Sequence, residues 1–181
     1  MRREAGEVVD AARRLWDSWE DGALIADIAT GRFLDHEKLH YVDVESEFLS
    51  IRGPALMPRP VQGQVPVFAR APDQTGYADI TLSDGLTALD DRSPGLKFAE
   101  LALLPGTELL PVLRRLAGSV GGVVLRTPEP VAALEELDRH VIPALAAEGI
   151  LVPPRPGETL RAQLGLSRPS SRYAAASGGN T

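Results

Sequence analysis

Val8, Ala11, Ala12, Leu15 and Trp19 recur at three- and four-residue steps near the start of the chain. Glu4, Glu7, Asp10, Arg13, Arg14 and Asp17 fill the positions between them. That spacing predicts an amphipathic helix. Beyond it the pattern is mixed as far as residue 40, with a turn expected at Thr30-Gly31. Residues 40–51 alternate imperfectly and predict a hairpin turning near Glu45-Ser46. Gly53-Pro54 and Pro58-Arg59-Pro60 then read as a stiff extended connector, because proline fixes its own φ and biases its predecessor away from helix.

After residue 64 the pattern changes to short apolar runs, at 65–69, 77–82, 96–104 and 122–125. Between the last two lies a helical stretch over 107–117, with Leu109, Leu110, Leu113 and Leu116 on one face, Thr107 as its N-cap and Gly118 as its stop. A longer helix follows Pro130 and runs to about Glu148. Its stripe is Val131, Leu134, Leu137, Val141 and Leu145, and Gly149 ends it. Residues 84–95 are polar and read as a loop. Strands alternating with helices predict βα units around a parallel sheet, an α/β fold. Pro153-Pro154-Arg155-Pro156-Gly157 interrupts the chain, and residues 158–164 read as one or two helical turns. From Ser167 to Thr181 the composition predicts a disordered tail.

Charge and composition narrow the function. The 181 residues carry a formal net charge of −6, which disfavours binding to nucleic acid phosphate and to anionic membranes. The chain has no cysteine, so disulfides, thiolate nucleophiles and cysteine-held metal centres are excluded. Together with the lack of an apolar run long enough for a membrane span or a signal peptide, this reads as a cytoplasmic protein.

Three places could carry chemistry. His36-Glu37-Lys38-Leu39-His40 matches H-E-x-x-H, which on a helix places two histidines on one face for zinc and a glutamate to activate water. A zinc hydrolase built on His36, Glu37 and His40 is therefore one reading, and a solvated turn is the other. His140 lies in the long helix beside Arg139, as a surface histidine or a general base. Residues 70–76 follow a strand. In βα architectures such loops carry ligands, and their backbone N–H groups can receive a phosphate; a plain turn is the alternative.

Three stretches carry a resemblance. The first is Leu15-Trp16-Asp17-Ser18-Trp19-Glu20-Asp21. The second is Phe48-Leu49-Ser50-Ile51-Arg52-Gly53-Pro54, continuing through Pro58-Arg59-Pro60-Val61-Gln62-Gly63-Gln64-Val65-Pro66-Val67. The third is Thr159-Leu160-Arg161-Ala162-Gln163-Leu164-Gly165-Leu166-Ser167-Arg168-Pro169. In order and spacing they resemble the nitrilotriacetate monooxygenase branch of the bacterial-luciferase-like flavin-dependent monooxygenases. The resemblance implies an incomplete (β/α)8 TIM-barrel-like fold. The chain would be the C-terminal half of a luciferase-like barrel, with a C-terminal arm. Residues 1–166 would be a partial monooxygenase domain, with 20–64 as an insertion or connector. A full barrel takes roughly 250 residues, so a truncated chain is expected, inactive alone. A homo-oligomer or a missing N-terminal half would complete it.

The activity implied is oxygenation of a small organic substrate using O2 and reduced FMN supplied by a flavin reductase. The family's Gly-x-Ser-x-x-Gly phosphate turn falls on residues 70–76, with Pro72 at the serine position, and the family's flavin-holding tyrosine falls at about Arg2. The phosphate-site residues carried over are Arg70, Thr75 and Gly76, and no catalytic residue is carried over. A degenerate fragment acting as a non-catalytic binding or interaction module is the alternative.

Overall fold

A computed structural model describes residues 2–70, 76–89, 95–104 and 107–174. In chain order the elements open with α1 (Arg2–Asp17), β1 (Leu24–Asp27) and β2 (Arg32–Leu34). Two short strands follow, β3 (Val44–Glu45) and β4 (Ser50–Ile51), and then β5 (Phe68–Arg70), β6 (Ile80–Asp84) and β7 (Leu96–Ala102). The rest is α2 (Leu109–Leu116), β8 (Gly122–Arg126), α3 (Pro130–Glu136), α4 (Ile142–Ala147) and α5 (Leu160–Gln163). These elements divide into two units, residues 1–66 with 158–181, and residues 67–157.

In the first unit α1 has Glu4 in its first turn and Arg14 in its last, each favourable to the helix dipole. Its expected apolar stripe is buried only toward the C-terminal end, since Ala11 is buried and Val8 exposed. The chain leaves α1 through Ser18, whose hydroxyl donates to Leu15 O at 2.6 Å. β1 and β2 pair antiparallel around the turn at Thr30-Gly31, and Gly31 adopts φ +67 there. β3 and β4 form the hairpin expected over 40–51, although only two residues of each strand pair. Residues 167–174 depart from the tail expected of them. Ser167 O and Pro169 O accept hydrogen bonds from Arg161 and Arg59, and Tyr173 stacks on His40. Composition alone hid these anchors.

The second unit is an α/β layer. β5, β6, β7 and β8 form one parallel sheet in sequential order. The four apolar runs supply these strands, as expected of a parallel sheet, whose strands read as apolar runs. Side chains alternate between the two faces. Ala99, Leu101, Val123 and Leu125 lie on one face and pack with Leu109 and Leu116 of α2 and with Val141 and Leu145 farther on. The opposite face carries Phe68, Ile80 and Leu96 in one cross-strand row and Leu82, Phe98 and Gly122 in the next. Phe98 meets Phe68 edge to face, at 5.5 Å between ring centroids.

Two helix expectations need correction. The residue before α2 is Glu108, without a side-chain cap, and the Thr107 hydroxyl instead accepts from Leu104 N–H at 3.2 Å. The helix after Pro130 is not uniform: residues Leu137–Val141 form a π turn between α3 and α4, with Ile142 N–H bonded to Leu137 O. Pro143 accounts for it. Proline has no N–H to donate, and its ring would strike the carbonyl four residues back in a regular α-helix.

Candidate functional site

The C-terminal ends of the four parallel strands gather four charged side chains of the second unit, Arg70, Asp84, Glu100 and Arg126. Register places Arg70 beside Leu82, Asp84 beside Glu100, Glu100 beside Val124 and Arg126 beside Ala102. With a two-residue period, Arg70, Asp84, Glu100 and Arg126 share the face opposite the helices. Their side chains meet. The Glu100 carboxylate touches Arg70 Nη2 through Oε2 and lies 3.4 Å from Arg126 Nη1 through Oε1. Arg70 Nη1 is also 3.4 Å from Asp84 Oδ1.

The Glu100 side chain is only 8% exposed, whereas Arg70 and Arg126 are 46% and 66% exposed. A buried carboxylate without compensation is costly. Here one guanidinium on each side provides the compensation, and both cations remain open to solvent.

Of the residues expected to hold a phosphate, Arg70 therefore stands at the strand end, already facing two carboxylates. Gly76 adopts φ +80 and has nothing within 4 Å of the position a Cβ would take. Thr75 and Pro72 lie outside the described residues. Glu100 and Arg126 were not singled out from the sequence. The signal available was a carboxylate in the middle of the apolar run over 96–104.

Of the two readings of H-E-x-x-H, the structure shows the turn and not the zinc-bearing helix. His36–Lys38 is a three-residue 3-10 turn capped by Asp35, and it is too short to bring His36 and His40 onto one α-helical face. His40 Nε2 is hydrogen-bonded with Glu20 Oε1 at 2.7 Å, and its ring stacks on Tyr173 at 3.7 Å. Among the described residues no three His, Asp or Glu side chains are grouped to hold a metal ion. His140 lies in the π turn, exposed and 3.9 Å from Glu136. It borders a cleft of about 440 Å³ lined largely by apolar side chains including Leu103, Leu109, Leu110 and Leu137.

In the first unit the three stretches that carry the family resemblance converge on one polar network, buried at Asp17, Arg59, Gln64 and Arg161 and open at Asp21 and Arg168. Asp17 accepts from Arg59 Nε through Oδ1 and from Gln64 Nε2 through Oδ2, both at 3.0 Å. Arg59 Nη2 donates to Pro169 O at 2.8 Å. Arg161 donates to Gln64 O at 3.0 Å and to Ser167 O at 3.1 Å. Arg168 pairs with Asp21 at 2.7 Å, and this hydrogen bond holds the Asp21 carboxyl below its ordinary value. Trp19 Nε1 donates to Ala55 O at 2.8 Å. Gly63 permits the approach of the third stretch: it has φ +81, and a Cβ there would lie 2.9 Å from Pro169 O.

Known proteins extend this picture. No family model matches the chain. A subunit of the pristinamycin IIA synthase of Streptomyces pristinaespiralis is 32% identical over 178 residues, covering 93% of this chain and 58% of that protein. Dibenzothiophene-sulfone monooxygenase of Rhodococcus erythropolis is 46% identical over 67 residues, 37% of this chain and 15% of that protein. Nitrilotriacetate monooxygenase component A of Aminobacter aminovorans is 42% identical over 67 residues, again 37% and 15%.

The chain thus has monooxygenase homologues, and it spans only part of the length of each. Among solved structures, riboflavin lyase crystallised with modified FMN and its substrate riboflavin matches at TM-score 0.62 and 15% identity, over 93% of this chain and 62% of that one. That likeness extends to the fold. Among the described residues no helix is long and apolar enough to cross a membrane.

Proposed function

We propose that this chain belongs to the luciferase-like flavin-dependent monooxygenases, in the nitrilotriacetate monooxygenase branch, and works on a small organic substrate. The observation that carries this reading is a 32% identical relative matched along 93% of the chain, with monooxygenases at higher identity over shorter stretches. Two relatives are named as parts of larger systems, one as a component and one as a synthase subunit. They support a second protein, a flavin reductase, as partner. The parallel sheet is read as part of a (β/α)8 barrel. Its C-terminal rim, where such folds hold ligands, is the surface assigned to the flavin.

Arg70, Thr75 and Gly76 are the residues assigned to the flavin phosphate. Two features fit that group. A half-exposed guanidinium ends β5, and the turn at Gly76 leaves open space where a side chain would otherwise project. Reduced FMN, when bound, supplies the electrons that activate O2. The protein's own contribution is to anchor and orient the phosphate with Arg70, Thr75 and Gly76. No catalytic residue is assigned.

One observation favours a second reading, a non-catalytic binding module: the Arg70 guanidinium already faces Asp84 and Glu100. Calorimetry of the purified full chain with oxidised and with reduced FMN separates the two. Saturable binding, weakened by Arg70→Gln, is expected of the monooxygenase reading. A folded sample that binds neither form up to about millimolar flavin (roughly −4 kcal/mol) overturns it in favour of the binding module.

A further inference from the structure

The row Arg70–Glu100–Arg126 spans the sheet's C-terminal rim from β5 across β7 to β8. Its chemistry is asymmetric. The carboxylate at the centre is buried, and the two cations that flank it are open. Each guanidinium has five N–H donors in a rigid fork. Among the described residues Arg126 makes one ion-pair contact, at 3.4 Å, which leaves most of its fork facing solvent. Asp84 offsets part of the positive charge, but it is 82% exposed and 3.4 Å away, so water screens it heavily. With Asp84 counted the four side chains are formally neutral, so what the row offers an anion is two open, oriented guanidinium forks and not a net charge.

As stabilisation alone this is an inefficient arrangement. A well-packed apolar side chain in place of a buried ion pair is often neutral or better. What the buried carboxylate does accomplish is to fix two long, otherwise mobile side chains. Ordering a rotamer-rich side chain on binding costs on the order of 0.5–1.5 kcal/mol, and a brace already in place removes part of that cost. In parallel α/β sheets the crevice outside the strands' C-terminal ends is where ligands bind.

We propose that Arg70 and Arg126, braced by the buried Glu100 carboxylate, form a two-guanidinium clamp for an oxyanion group of a small ligand. The clamp stands on the ion-pair geometry and is independent of the flavin reading. An oxyanion of this kind has two sources, the phosphate of a flavin mononucleotide or an acidic group on the substrate. Arg126 binds the ligand in either case, and Glu100 is a positioning residue.

The test is calorimetric titration of the full chain at low ionic strength with inorganic phosphate and with succinate as probes, in wild type, Arg126→Gln and Arg70→Gln. The clamp predicts saturable binding of at least one probe, weakened about tenfold by either substitution, the loss of one charge-assisted contact. Thermal melting of Arg126→Gln is expected to fall only slightly, because the 3.4 Å contact is made by a largely exposed guanidinium and the buried Glu100 keeps Arg70 as its partner. Absence of probe binding in wild type, or affinity unchanged in Arg126→Gln, overturns the clamp and leaves a structural ion-pair row.

FMN and riboflavin, which differ by the phosphate, assign the source. A loss of FMN affinity in Arg126→Gln with riboflavin unaffected supports the clamp with the flavin phosphate as its anion. Unchanged affinity for both flavins alongside loss of the probe supports it with a substrate oxyanion. Probe binding without flavin binding supports the clamp while removing the flavin reading.

Discussion

Asp17 offers the sharpest test of what holds the first unit together. Its side chain is 3% exposed and that of Arg59, 3.0 Å away, is 2% exposed. Replacing Asp17 by Ala removes the acceptor for Arg59 Nε and for Gln64 Nε2 while leaving the guanidinium in place. Arg59 keeps Pro169 O at 2.8 Å and a distant Asp21 at 3.5 Å, which are hydrogen-bonding partners but a poor substitute for a buried counter-charge. Breaking a buried pair from one side costs about 3–5 kcal/mol.

That is a large share of the roughly 5–15 kcal/mol by which domains are stable. At an m-value near 2 kcal/mol/M it lowers the urea midpoint by about 2 M. Asp17→Asn keeps the volume and one acceptor and is expected to lose less, about 1.5–3 kcal/mol, the range for a hydrogen bond to a charged group. Both tryptophans, Trp16 and Trp19, belong to the same unit as Asp17, so their fluorescence reports its unfolding. In a double-mutant cycle, Asp17→Leu with Arg59→Met is expected to recover part of the single-mutant loss, since neither charge is then left alone. Asp17→Ala losses under about 1 kcal/mol, or strictly additive losses in the cycle, would refute a buried, coupled pair.

Two further outcomes follow from local geometry. A Cβ at Gly122 would lie 2.4 Å from the Phe98 ring, so Gly122→Ala is expected to cost about 1–3 kcal/mol by overpacking; Phe98→Leu in the same chain should recover part of it, and an undisturbed urea midpoint for Gly122→Ala would sink the idea. The lowered Asp21 carboxyl, held by Arg168, contributes stability that is present above its ordinary value of 3.8 and is lost as the pH falls through the depressed folded value. With Asp21 58% exposed, the contribution is under about 1 kcal/mol. Arg168→Gln should therefore flatten the fall in melting temperature between about pH 5 and about pH 2, and an unchanged slope would count against the pair.

The second unit's sheet was legible because buried parallel strands announce themselves as apolar runs. The edges of those runs were less so. The run over 65–69 yields a strand only from Phe68, because Val67 N–H turns to the Asp79 carboxylate and Pro66 has no N–H to give. The stripe from Val131 to Leu145 concealed Pro143 and hence the π turn. The rim cluster was illegible for a different reason. Arg70, Glu100 and Arg126 are far apart in sequence and meet only through strand register, which no local pattern encodes. The same holds for residues 167–174. Their composition reads as tail, yet Arg168 and Arg172 reach Asp21 and Asp17 across about 150 positions.

The three stretches behind the family resemblance and the rim of the parallel sheet therefore report different things. Asp17, Trp19 and Asp21 from the first stretch, Arg59 and Gln64 from the second, and Arg161 and Arg168 from the third direct polar groups at one another. Substitution at Asp17, Arg59, Gln64 or Arg161 leaves a buried group without its partner, a cost any protein with this first unit bears whatever reaction it carries out. Identity in these stretches thus measures shared scaffolding. The proposed ligand site uses a different set of side chains, at the strand ends of the second unit. There Glu100 and Arg126 join Arg70 in a charged row. A relative can match the scaffold closely and still differ at the rim, so ligand binding by the rim residues, and not overall identity, is the measure of whether this chain shares its relatives' chemistry.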